Sequence, residues 1–74
     1  MDATDWERQF EESVSRERAL AIDLLDASRA LTGAFRPAGT SPADATELFA
    51  AKFAEWRDVT EAITRLAENR LARR

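Results

Sequence analysis

Apolar residues return every three or four positions along two long runs of this chain, the spacing of one face of an α-helix. In the first run they fall at Trp6, Phe10, Val14, Ala21, Leu24, Leu31 and Phe35, with Ser28 on the same line. Glu17 stands in the one longer gap, between Val14 and Ala21. Leu20 and Leu25 flank the line and widen the apolar arc to roughly 140°, more than a strict two-stranded seam needs. Arg8, Glu12, Arg16, Asp23, Asp26 and Arg29 take the opposite side, and Ile22 lies off the stripe. The second run reads Ala45, Leu48, Phe49, Phe53, Trp56, Val59, Ile63, Leu66, Ala67 and Leu71. Phe49, Trp56 and Ile63 sit one heptad apart, as do Val59 and Leu66, which is the pattern of a coiled-coil-like bundle. Glu47, Arg57, Asp58, Glu61, Arg65 and Glu68 cover its far side.

Between the runs, Arg36–Pro42 holds both prolines and one of the two glycines. The pattern therefore predicts a helix over about 5–34, a turn over 35–41 and a helix over about 42–72. Thr4 with Glu7 matches a capping box at the first start. Gly33 is a natural C-terminal signal, and Pro37 forbids continuation. At the second start, Ser41 is a good N-cap, Pro42 suits the first helical position, and Asp44 favours the positive end of the dipole. Two helices of about 45 Å joined by a short turn form an antiparallel hairpin. A fold centred near Ala38 brings Phe49 to Ser28, Phe53 to Leu24, Trp56 to Leu20 or Ala21, Ile63 to Val14, and Leu66 or Ala67 to Phe10. The acids of the first dozen residues then lie beside Arg65, Arg70, Arg73 and Arg74.

Composition narrows what such a hairpin does. All 74 residues make one domain, 1–74, too small to be stable on one core without help from regular packing, a metal, a disulfide or another chain. There is no cysteine and no histidine, so disulfides are excluded and the usual zinc and transition-metal sites have no ligands. Net charge is -3 with 34% charged residues, which argues against general binding to nucleic acid or an anionic membrane. Hydrophobic content of 45% is too high for a disordered tail. The acidic N-terminus lacks the pattern of a secretory signal, and no apolar run approaches the ~20 residues that span a bilayer. A cytoplasmic protein with no membrane contact and no cofactor is expected.

Each candidate residue has two readings. Glu17 is a carboxylate that ligates something or sets the register of a dimer, or a seam-edge acid bonded to Thr60 or an arginine. Lys52 and Arg70 lie on the apolar arc of the second helix, and Arg70 belongs near Trp6 and Glu7. There it closes the open end by stacking or pairing, or forms a hot spot for a partner. The arginines Arg65, Arg70, Arg73 and Arg74 answer the acidic end and the dipole, or contact phosphates. All six aromatics sit on the stripes. Two helices cannot enclose them all, so aromatic surface is left over, and such surface generally marks an interface.

No glycine-rich phosphate loop, nucleophile with its base, or metal-ligand set is present. The run Arg18–Arg29, with Arg18, Ile22, Asp23, Leu25 and Arg29, resembles the opening helix of all-helical chorismate mutases over about 12 residues. Those enzymes need a third helix and further cationic residues around the pocket, so no family is assigned from it.

The sequence thus predicts an all-α antiparallel two-helix hairpin, coiled-coil-like and dimerising into a four-helix bundle. The expected function is that of a non-enzymatic protein–protein interaction module, of adaptor, assembly-chaperone or inhibitor type. Its surface would be built on Trp6, Phe10, Leu24, Phe49, Phe53, Trp56 and Ile63, with polar contacts from Glu17, Lys52 and Arg70. Its partner would be a second copy or another protein. The alternative is a small nucleic-acid-binding accessory protein using the C-terminal arginines.

Overall fold

The computed structural model describes residues 3–72. Two helices, α1 (Ala3–Arg29) and α2 (Pro42–Ala72), pack against each other in opposite directions, and no strand occurs among the described residues. The hairpin is a rod of 52 × 15 × 13 Å.

The start of α2 lies where its sequence places it. The backbone N–H of Asp44 donates to Ser41 Oγ at 3.1 Å, satisfying one of the donors that a helix start leaves without a partner. Pro42 has no N–H to satisfy there. At the start of α1, Thr4 lies inside the helix rather than ahead of it, so it is not the N-cap the capping box requires.

The end of α1 departs further from expectation. The helix stops at Arg29, not near residue 34, and a single turn of 3₁₀-helix follows at Gly33–Phe35. Backbone N–H groups of Ala30, Leu31 and Thr32 donate to the carbonyls of Asp26, Ser28 and Arg29, and side chains take carbonyls there and just beyond. Thr32 Oγ1–H donates to the Arg29 carbonyl at 2.9 Å. Arg36 reaches back with Nε to the Ala30 carbonyl and Nη2 to that of Leu31, both at 3.1 Å. A cation at this position also opposes the negative end of the helix dipole. Gly33 is therefore not the left-handed cap. The left-handed residue is Gly39, with φ 85°, in a turn closed by Thr40 N–H donating to the Pro37 carbonyl at 3.1 Å. A positive-φ glycine at the third of the four turn residues is the arrangement of a type II turn. Arg36→Ala should lower stability by about 1 kcal/mol, and the thermal midpoint by about 4–8 °C. Circular dichroism melts at matched concentration would measure this.

The seam is closed mainly by small and medium side chains. Leu20, Ala27 and Ala30 of the first half are buried, with Ala45 and Val59 from α2, and no aromatic ring is. Ser28, expected opposite Phe49, is exposed, and Ala27 takes the inward position. Leu31 and Phe35 fall outside α1, so the helical phase that placed them on the stripe does not govern them, and both are exposed. The polar contacts across the seam lie one to four residues toward the N-terminus of α1 from the expected pairing: Trp56 bonds Glu17, and Lys52 approaches Asp23. The early end of α1 moves the fold point toward the N-terminus and slides α2 along its partner.

Candidate interaction surface

Three polar contacts mark successive heights of the rod. At mid-height the indole Nε1–H of Trp56 donates to Glu17 Oε1 at 3.0 Å. This is the partner of Glu17; Thr60 instead turns its hydroxyl to the Trp56 carbonyl within α2, at 2.8 Å. The aromatic donor reaches Glu17 across the seam because the shifted register sets the two level, which a helical wheel does not encode. Toward the turn, Lys52 is half-buried, with its ammonium 3.8 Å from Asp23 on α1 and 3.9 Å from Glu55 on its own helix. Its stem covers the seam while its charge stays at the edge.

At the open end, Trp6 Nε1–H donates to the Leu66 carbonyl at 2.8 Å. The Arg70 guanidinium lies 5.0 Å from the Trp6 ring centroid, a cation–π contact in the position expected from the sequence. Phe10 stacks on the same indole at 4.9 Å and 12°. Of the four C-terminal arginines, Arg70 is thus engaged on Trp6, whereas Arg73 and Arg74 lie outside the described residues.

The hairpin has two broad faces, and they differ. The first carries the Asp23–Lys52 bridge. Near the turn it opens into a groove of about 530 Å³, floored by Ala27, Ala30 and Ala45 and edged by Asp23, Asp26 and Leu48. Farther along, Arg16, Glu55 and Asp58 share a shallow depression on this face. The charges are close to balanced, Asp23, Asp26, Glu55 and Asp58 against Arg16, Arg29 and Lys52. The second face begins one residue on, 100° round each helix. Phe49, Phe53 and Trp56 form a continuous row along it, with ring centroids 6.2 and 6.0 Å apart. Phe53 is 42% exposed, and Leu25, on the same side of α1, is 51% exposed. Phe10, Val14 and Arg18 extend this face toward the open end.

Of the residues singled out in the sequence, Trp6, Phe10, Leu24, Phe49, Trp56 and Ile63 are half-buried along the seam, and Phe53 is exposed. Glu17 joins Trp56, Arg70 joins Trp6, and Lys52 joins Asp23; the three pairs stand at separate heights and do not converge on one point. Arg36 and Ala45 were not among them. An arginine followed by proline carries no capping signature in sequence, and an alanine in an alanine-rich helix does not show whether it is buried.

No family model, curated protein or solved structure matches this chain. Among the described residues no helix is long and apolar enough to cross a membrane, and no three acidic side chains gather as metal ligands would. The surface therefore has to be read from its own chemistry.

Proposed function

We propose that this hairpin is a non-enzymatic protein–protein interaction module that acts through its second, aromatic face, in a cytoplasmic setting. One observation carries the reading. The chain exposes 5476 Å², whereas a compact folded protein of its 8.3 kDa mass exposes about 4,600 Å². The surplus of about 900 Å² is close to the ~800 Å² that each partner contributes to a standard interface. On this face Phe53 and Leu25 are exposed and Phe49 is half-covered, while Phe35 and Leu48 leave further apolar surface at the groove of the first face. Aromatic residues are enriched at interfaces because they bury much area for few rotatable bonds. Adaptor, assembly-chaperone and inhibitor activities all use such a face, and a four-helix bundle formed with another copy would cover it. The C-terminal arginine reading has no observation in its favour.

Sedimentation equilibrium from about 1 to 100 μM, with a hydrophobic dye such as ANS added in parallel, tests the proposal. A species of twice the monomer mass, or a folded monomer that lights the dye, is the expected result. A cooperative monomer that leaves the dye dark would overturn it. Phe53→Asp should abolish whichever signal the parent gives, while retaining the helical circular dichroism spectrum.

A further inference from the structure

We infer that the open-end half of the rod is a clasp held on Trp6, which parts and recloses as a unit while the half next to the turn stays folded. The inference goes beyond the interaction reading and holds whatever docks on the aromatic face.

Burial divides the rod. The buried side chains are Leu20, Ala27, Ala30, Ala45 and Val59, so all of them lie between Leu20 and Val59. Among the described residues, none of 3–19 and none of 60–72 is buried. The half next to the turn thus holds the close-packed part of the seam, together with the Lys52–Asp23 bridge between the helices. Toward the open end the helices still face each other, but through half-covered side chains: Trp6, Phe10 and Val14 on α1, and Ile63, Leu66 and Ala67 on α2. Few buried contacts are what makes local opening cheap relative to global unfolding.

The specific contacts at that end converge on one side chain. Trp6 donates to the Leu66 carbonyl at 2.8 Å, stacks on Phe10 at 4.9 Å and lies under the Arg70 guanidinium at 5.0 Å. The Leu66 carbonyl also belongs to the hydrogen-bond ladder of α2, so it keeps a partner when the indole leaves. The indole N–H and the guanidinium both return to water. Release therefore has a small polar cost.

After release, each arm is a length of about 13 residues without its packing face, and helices of about 12–15 residues are marginal in water. Each arm is the other's packing surface, so the two lose protection together. The opening stops where Glu17 bonds Trp56 at 3.0 Å and the buried Val59 closes the seam one turn farther along α2. The row of Phe49, Phe53 and Trp56 stays in the folded half. Except for Leu71, the large apolar side chains exposed on the closed rod also lie in that half. Opening thus adds Trp6, Phe10, Ile63 and Leu66 to the accessible apolar surface, at the end where the closed rod has little.

Hydrogen exchange of the backbone amides of the full chain tests this, read by mass spectrometry with electron-transfer fragmentation at the lowest concentration of the sedimentation series. Amides of residues 7–16 and 61–70 should share one protection factor, about tenfold or more below that of 20–29 and 46–59. Trp6→Ala should lower protection in both arms by the same factor and leave the turn half unchanged. Trp6→Phe keeps a ring and loses the bond to Leu66, and should do the same by a smaller factor. Equal protection along the whole rod would overturn the division into halves, as would protection that falls in the turn half of either variant. A smooth decline toward the ends, without a step, would overturn the unit in favour of ordinary fraying. A Trp6→Ala effect confined to α1 would overturn the clasp.

Discussion

Replacing Trp56 by alanine should remove about 3 kcal/mol of stability, a large share of what a chain of this size holds. Three interactions end together. The indole donates to Glu17 across the seam at 3.0 Å, lies 6.0 Å from the Phe53 ring, and fills the middle of the interface between α1 and α2. Truncating a buried large aromatic to alanine costs about 3–5 kcal/mol, and the half-buried position of Trp56 brings the figure to the lower end. Losing the donor adds to it, because the half-buried Glu17 carboxylate is left without that hydrogen bond. A domain of this size has only about 4–11 kcal/mol in total. Urea unfolding followed by circular dichroism at fixed protein concentration would measure the loss. Trp56→Phe separates the contributions: it keeps a ring, removes the donor and should cost about 1 kcal/mol. A Trp56→Ala midpoint equal to that of the parent would mean the seam is held elsewhere.

Ala45→Leu should be the second largest effect, about 1–3 kcal/mol, in the opposite steric sense. Ala45 is 1% exposed, with Ala27 and Ala30 also buried near the turn. These methyl groups let the helices approach where the chain has only a short connection to reverse direction. Ala45 itself is covered, so three added carbons press on the helix interface before they can reach the groove beside it, forcing the helices apart or the new side chain off its rotamer. The matched control is Ala51→Leu, on an exposed position of the same helix, which should stay within about 0.5 kcal/mol of the parent. Equal midpoints for the two variants would show that the turn end is loosely packed.

Local chemistry was legible in the sequence, whereas relative position along the rod was not. Ser41, Pro42 and Asp44 specify the start of α2 through backbone groups within one turn, and that start is where they put it. The Arg70–Trp6 contact was also readable, since both sit at the open end, where a turn of shift leaves long side chains in reach. The end of α1 was not. Gly33 is the stronger local signal, but the carbonyls are taken by Arg36, whose reach depends on the path of the turn. That early end moved the register, and with it the partner of Glu17 changed from Thr60 or an arginine to Trp56. Helical periodicity fixes which side of a helix faces inward. It says nothing about how far one helix slides along another, which the connection and the packing of Ala27, Ala30 and Ala45 decide together.

The two tryptophans stand at different heights of the same rod. The bond at Trp56 closes a loop spanning 39 residues and the bond at Trp6 one spanning 60. Closing the longer loop costs well under about 1 kcal/mol more in entropy, so the contacts of Trp6 with Leu66, Phe10 and Arg70 have little extra to offset, and a hairpin that zips from its turn parts first at its open end. Each indole therefore senses a separate stage of that motion, one beside a carboxylate and one beneath a guanidinium. With no tyrosine in the chain, the fluorescence of Trp6 and Trp56, isolated in turn by replacing the other with phenylalanine, times the parting of the tip against that of the waist.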